Sequence, residues 1–126
     1  MNCINVMHIW LSKAITKNTN VESGVIDMDP LDLNGFFSAQ LYMVEGTDTS
    51  VIKLQWGVSN DGTNFIYSSD GNDDIVTAFK ANSGPGTNGR NIFSFDPITA
   101  RYMRFKATET ETSTDVTGFT LDVAMH

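Results

Sequence analysis

VIKLQWGV, residues 51–58, decides the fold. Side chains of an extended chain point alternately to opposite faces, so Ile52, Leu54, Trp56 and Val58 share one side while Lys53 and Gln55 take the other. The same period of two returns in residues 101–108, where Met103, Phe105 and Ala107 alternate with Arg104, Lys106 and Thr108. It returns in residues 119–125, where Phe119, Leu121, Val123 and Met125 stand against Thr120 and Asp122. Phe37, Ala39, Leu41 and Met43 repeat it. Such alternation predicts strands half-buried on one face.

Weaker segments complete the pattern. Residues 3–11 alternate imperfectly, with Ile4, Val6, His8 and Trp10 on one face and Cys3, Asn5, Met7, Ile9 and Leu11 on the other. Both faces are partly apolar, which predicts a first strand covered on both sides, with another subunit as one source of cover. Residues 12–20 read as a polar connection and 24–28 as a short strand, ended by Asp29-Pro30 because proline cannot donate to a ladder. Residues 36–44 form a strand and 45–50 a hairpin-like loop. In Ser59-Asn60-Asp61-Gly62-Thr63-Asn64 the Asp-Gly pair signals a tight turn, with Phe65 and Tyr67 on the returning strand. Residues 68–74 are an acidic loop, 75–79 a strand, 82–89 an irregular stretch around Gly84-Pro85-Gly86, and 91–95 a strand stopped by Pro97. Residues 108–117, with Glu109, Glu111 and Asp115, read as a loop or protruding hairpin. No helix beyond a turn or two is supported. The expectation is an all-β chain: a single domain over residues 1–126, a β-sandwich or jelly roll of about eight mostly antiparallel strands.

Composition narrows the function. The chain has 126 residues, enough to bury roughly two-thirds of its unfolded surface without staples. Fifteen acidic and eight basic residues give a net charge of -7, which opposes phosphate backbones and argues against nucleic-acid binding. Arg101, Arg104 and Lys106 gather in one strand and are explained as its solvent face and as partners for nearby carboxylates. The single cysteine, Cys3, permits no intrachain disulfide. His8 and His126 stand at opposite ends, so no zinc spacing exists. Residues 1–11 are apolar but too short for a bilayer span, and Lys13 follows the apolar run instead of preceding it, so no signal peptide is evident and no membrane is expected.

Few constellations suggest chemistry. Asp70-Gly71-Asn72-Asp73-Asp74 could offer calcium several oxygens, with Asp70, Asp73 and Asp74 as candidate ligands. The spacing is not that of an EF-hand, and solvated loop charge is the simpler reading, so no metal is assigned. No carboxylate pair converges and no nucleophile has a base beside it, so neither an enzyme nor a cofactor is expected. Aromatic residues raise sugar stacking, yet most sit in strands where core packing is the default. Phe36 and Tyr42 differ, because they lie opposite Phe37, Leu41 and Met43 and make their strand apolar on both faces. A protein interface, a covering loop and a ligand surface all answer to that pattern. The candidate interface residues are Ile4, Val6, Trp10, Phe36 and Tyr42; the candidate ligand residues are Tyr67, Asn72, Asp73 and Arg90.

Two stretches resemble discoidin-like jelly-roll domains: the turn Ser59-Asn60-Asp61-Gly62-Thr63-Asn64-Phe65 and the strand Ala100-Arg101-Tyr102-Met103-Arg104-Phe105. That resemblance implies binding of glycans, lipid head groups or proteins through loops at one end, although the terminal cysteine pair common there is absent. The wider pattern resembles small virion proteins of tailed bacteriophages. It is carried by Ser23-Gly24-Val25-Ile26-Asp27, residues 31–38, the Ser-Asn-Asp-Gly turn, Asp74-Ile75-Val76-Thr77, Ser83-Gly84-Pro85-Gly86 and Ala100-Arg101-Tyr102. This second resemblance implies a non-enzymatic structural subunit, a capsid decoration or tail component made in the host cytoplasm. Its expected partners are other virion proteins and copies of itself, most plausibly as a trimer. The alternative is a glycan- or surface-binding discoidin-like module.

Overall fold

The computed structural model describes residues 4–31, 33, 35–44, 50–68, 74–111 and 115–126. Among the described residues ten strands occur in order: β1 (Asn5–Ile15), β2 (Asn20–Glu22), β3 (Ile26–Asp27), β4 (Phe37–Met43), β5 (Ile52–Ser59), β6 (Ile66–Tyr67), β7 (Val76–Phe79), β8 (Arg90–Phe95), β9 (Tyr102–Glu109) and β10 (Val116–Met125). One sheet has the order β1-β10-β4-β8; the other runs β2-β9-β5-β6, with β3 also on β9 and β7 also on β5. Each of the pairs β2/β3 and β6/β7 therefore acts as one interrupted strand, and both sheets have four strand positions. Every pairing is antiparallel. The chain changes sheet at β1–β2, β3–β4, β4–β5 and each connection from β7 onward, which is the winding of a jelly roll.

The alternating segments are the centre of both sheets. β10 runs against β4 in unbroken register, from Phe119 opposite Met43 to Met125 opposite Phe37. The inward residues Ala39, Leu41, Phe119, Leu121, Val123 and Met125 are all fully buried. A slip of one residue would turn this whole set to water, so burial at about 1.5–3 kcal/mol per large side chain fixes the register. Ile52, Leu54, Trp56 and Val58 meet them from β5, with Met103, Phe105 and Ala107 from β9. Aromatic contacts lock the layers together: Phe95 meets Phe105 edge-on at 6.0 Å and Phe79 meets Phe93 at 6.3 Å, each pair bridging the two sheets.

The structure departs from the sequence reading in three places. β1 does not stop at residue 11 but continues to Ile15, whose side chain is fully buried against the core. It does so with register shifts between His8 and Trp10 and again beyond, and with Ser12 at φ 49°. A bulge adds a residue and reverses the facing of the residues beyond it. Trp10 therefore leaves the face of Val6 and His8 and packs inward, 6.1 Å from Phe119. The short strand expected over 24–28 shrinks to β3, and β2 precedes it, starting at the end of the stretch read as a connection. Glu109, expected in an acidic loop, ends β9 fully buried. Its Oε1 accepts the Asn18 N–H at 3.0 Å, while Oε2 accepts those of Val51 at 3.0 Å and Glu111 at 3.1 Å. One carboxylate thus ties together the chain after β1, the entry to β5 and the exit of β9.

Candidate interaction surfaces

The outer face of the β1-β10-β4-β8 sheet holds the candidate interface. Register places Val6, Ala124, Ser38 and Ser94 in one cross-strand row and His8, Asp122, Gln40 and Ile92 in the next. At the margin, Phe36 and His126 exchange backbone hydrogen bonds at 3.0 and 2.9 Å and stack their rings at 6.2 Å. Ala124, Ser38 and Ser94 make a low floor. Around it stand Ile4 (66% exposed), Val6 (57%), Phe36 (66%) and Ile92 (59%). Scattered apolar residues on a surface need no explanation, but four around one flat floor form a patch. His8 Nδ1 and Asp122 Oδ1, 2.6 Å apart, close its charged border.

The remaining interface candidates lie elsewhere. Tyr42 shares this outer face but belongs to its far half, where the Arg90 guanidinium sits 3.9 Å above its ring. Trp10 faces the core, turned inward by the bulge of β1.

The candidate ligand residues are not gathered into one place. Tyr67 lies on the outer face of the other sheet, flat over Gly57, where an added Cβ would stand 2.6 Å from its Cε1. Its hydroxyl donates to Glu22 Oε2 at 2.6 Å and the Lys106 ammonium sits 4.1 Å above its ring. Burial, then the bond to the Glu22 carboxylate, pushes the phenol well above its ordinary range. Arg104 pairs with the same Glu22 at 3.3 Å, and Arg101 pairs with Asp27 at 3.3 Å. The two arginines of the basic strand face are thus met by carboxylates of their own sheet, while Lys106 rests on Tyr67. Arg90 stands on the opposite face of the sandwich. Asn72 and Asp73, and Asp70 of the candidate calcium loop, lie outside the described residues. Asp74 Oδ1 takes a hydrogen bond from Ser68 Oγ at 2.8 Å, while its buried Oδ2 has no hydrogen-bond partner and faces Lys53 Nζ at 3.8 Å. Among the described residues no three acidic, histidine or cysteine side chains gather as a metal site.

The sequence reading missed two grooves at the end where the β3–β4, β5–β6 and β8–β9 connections meet. One, of about 380 Å³, is lined by Met28, Leu31, Leu33, Phe37, Ile98 and Met103, with Asp96 at its side. The other, of about 420 Å³, lies between Val58, Asn60, Asp61, Ile66 and Ile98. The ridge Ile98-Thr99-Ala100 borders both. The two resemblance-bearing motifs meet here, because Asn60 Oδ1 accepts the Arg101 N–H at 3.0 Å. Asp61 accepts hydrogen bonds from the backbone of Asn64 and Thr63 and from the side chains of Asn64 and Ser59, which hold its carboxyl well below the usual carboxylate range. A proline-ended strand before residue 98 and an isolated isoleucine between Pro97 and Thr99 were the available signal.

No protein-family model matches the chain and no curated protein matches it. Among solved structures the fold is shared with capsid chains of infectious bursal disease virus. The derived T=1 particle matches at TM-score 0.57 and 7% identity, over 98% of this chain and 32% of that one. The VP2 subviral particle matches at 0.56 and 9%, over 98% and 33%. The Gx strain structure matches at 0.53 and 8%, over 99% and 34%. The chain spans about a third of the length of these capsid chains. At such identities the likeness is one of fold: this chain has a jelly roll of the kind built into viral capsid subunits.

Proposed function

We propose that this protein is a non-enzymatic structural subunit of a virion, a decoration or tail-associated component of a tailed phage. It acts through protein–protein contacts and assembles with copies of itself as a trimer. The observation that carries this reading is the flat patch of Ile4, Val6, Phe36 and Ile92 on the outer face of the first sheet. A jelly roll already buries the inner faces of both sheets, and among the described residues nothing covers this apolar outer face, which favours cover by another molecule. The capsid chains that share the fold support the same assignment.

Contact through the face is favoured over growth along the β8 edge. On β8 the Arg90 and Ile92 N–H groups are taken by the side-chain oxygens of Asn88 and Asn91, at 3.3 and 2.8 Å. Blocked donors of this kind prevent a neighbouring strand from adding. Light scattering at micromolar concentration tests the proposal. A defined oligomer, three copies on this account, supports it; a strict monomer refutes the self-assembly on which it rests.

A further inference from the structure

We propose that the two grooves flanking residues 98–100 form a second docking site, for a segment of a different protein that presents an apolar side chain flanked by lysine or arginine. This goes beyond self-assembly through the sheet face; the first groove adjoins that face, sharing Phe37 with it, and the second lies apart from it. The apolar half of the argument is the lining. Leu31, Leu33, Phe37 and Met103 wall the first groove. Ile98 (64% exposed) and Ile66 (67% exposed) rim the second. A pocket of a few hundred Å³ with apolar walls suits a large aliphatic or aromatic side chain.

The electrostatic half decides which partner. Among the described residues each groove is lined by one carboxylate, Asp96 in the first and Asp61 in the second, and by no lysine or arginine. The nearby guanidinium of Arg101 is already engaged by Asp27. A second copy docked end to end would set these carboxylates against themselves, on a chain whose net charge is -7. Like charges brought together at an interface oppose association, whereas cations beside the apolar side chain are matched by Asp61 and Asp96. The occupant is therefore a foreign basic-and-apolar segment.

The test is an NMR titration of the isotope-labelled full chain with a short synthetic peptide holding a Phe-Leu pair between lysines. A peptide with glutamates in place of the lysines serves as the control. The expected result is saturable shifts at Leu31, Leu33, Ile98, Ala100 and Met103 with the lysine peptide alone, weakened by added salt. Ile98→Asn, a neutral change at an exposed position, should weaken binding about tenfold or more. Thr99→Lys, which brings a cation to the ridge, should weaken it as well. Equal binding of the glutamate peptide, shifts confined to other surfaces, or no saturable shift at millimolar peptide would overturn the proposal. The oligomeric state measured by light scattering is a separate readout, so loss of one claim leaves the other standing.

Discussion

Replacing Glu109 with alanine should be among the most damaging single changes to this fold. The side chain is fully buried and its two oxygens accept three backbone N–H groups. Asn18 and Glu111 are exposed residues, so their N–H groups can turn to water after truncation. Val51 is buried, and its N–H would be stranded, at a cost of about 1–3 kcal/mol. Loss of the one buried methylene, Cγ, adds about 0.8 kcal/mol. The sum, about 2–4 kcal/mol, is a large share of the roughly 5–15 kcal/mol that holds a typical domain together. Glu109→Gln should cost less, about 1–2 kcal/mol. Its remaining oxygen can still accept from Val51 and Glu111, leaving Asn18 to solvent. Urea denaturation followed by tryptophan fluorescence measures both variants. A loss below about 1 kcal/mol for Glu109→Ala would refute the claim that this carboxylate ties the three chain segments together.

Other contacts set further expectations. Gly57→Ala should cost about 1–3 kcal/mol by driving a methyl into the Tyr67 ring. In a Tyr67→Ala background the same change should cost much less, and equal costs in both backgrounds would show that the ring is not the obstacle. Asp61 and Asp27 both have lowered folded-state values, Asp61 through its turn hydrogen bonds and Asp27 chiefly through Arg101. Their stabilisation is therefore complete above the ordinary carboxylate value of 3.8 and is lost as pH falls below it toward the depressed values. Asp61→Asn should flatten the fall in urea midpoint on the acid side, and an unchanged acid slope would contradict the role given to that turn. Phe36→Asp should shift light scattering to the monomer and, since the ring is exposed within one copy, lower the urea midpoint only to that of the wild type diluted to its monomer. A variant that stays assembled would remove Phe36 from the contact.

How much could be read in the sequence depends on how each feature is encoded. Residues 52–58, 103–107 and 119–125 alternate strictly, and burial of one face leaves their pairing little freedom; the fold class came from them. The bulges of β1 were not legible, because the spacing of Trp10 and Ile15 is compatible with either face until β10 supplies Phe119 and Val116 as partners. Glu109 looked like loop charge, since its three N–H partners come from residues 18, 51 and 111 and no local pattern announces them. Phe36, Ile4 and Val6 were picked from two-sided strands, and the sheet brings them to one margin. Tyr67 and Arg90 were both picked as candidate ligand residues, and the winding of the chain sends them to opposite faces. The end grooves were missed because they are made by three connections far apart in sequence.

The central claim is that copies of this protein meet over the face carrying Ile4, Val6 and Phe36. Solvent paramagnetic relaxation of methyl groups tests it most directly, with a soluble gadolinium chelate added to the assembled protein. Leu11, 85% exposed on the same strand as Val6 but beyond the bulge, is the internal standard. The account predicts that the methyls of Ile4 and Val6 are shielded while Leu11 relaxes at the full rate. Ile4 and Val6 relaxing as fast as Leu11 would contradict it.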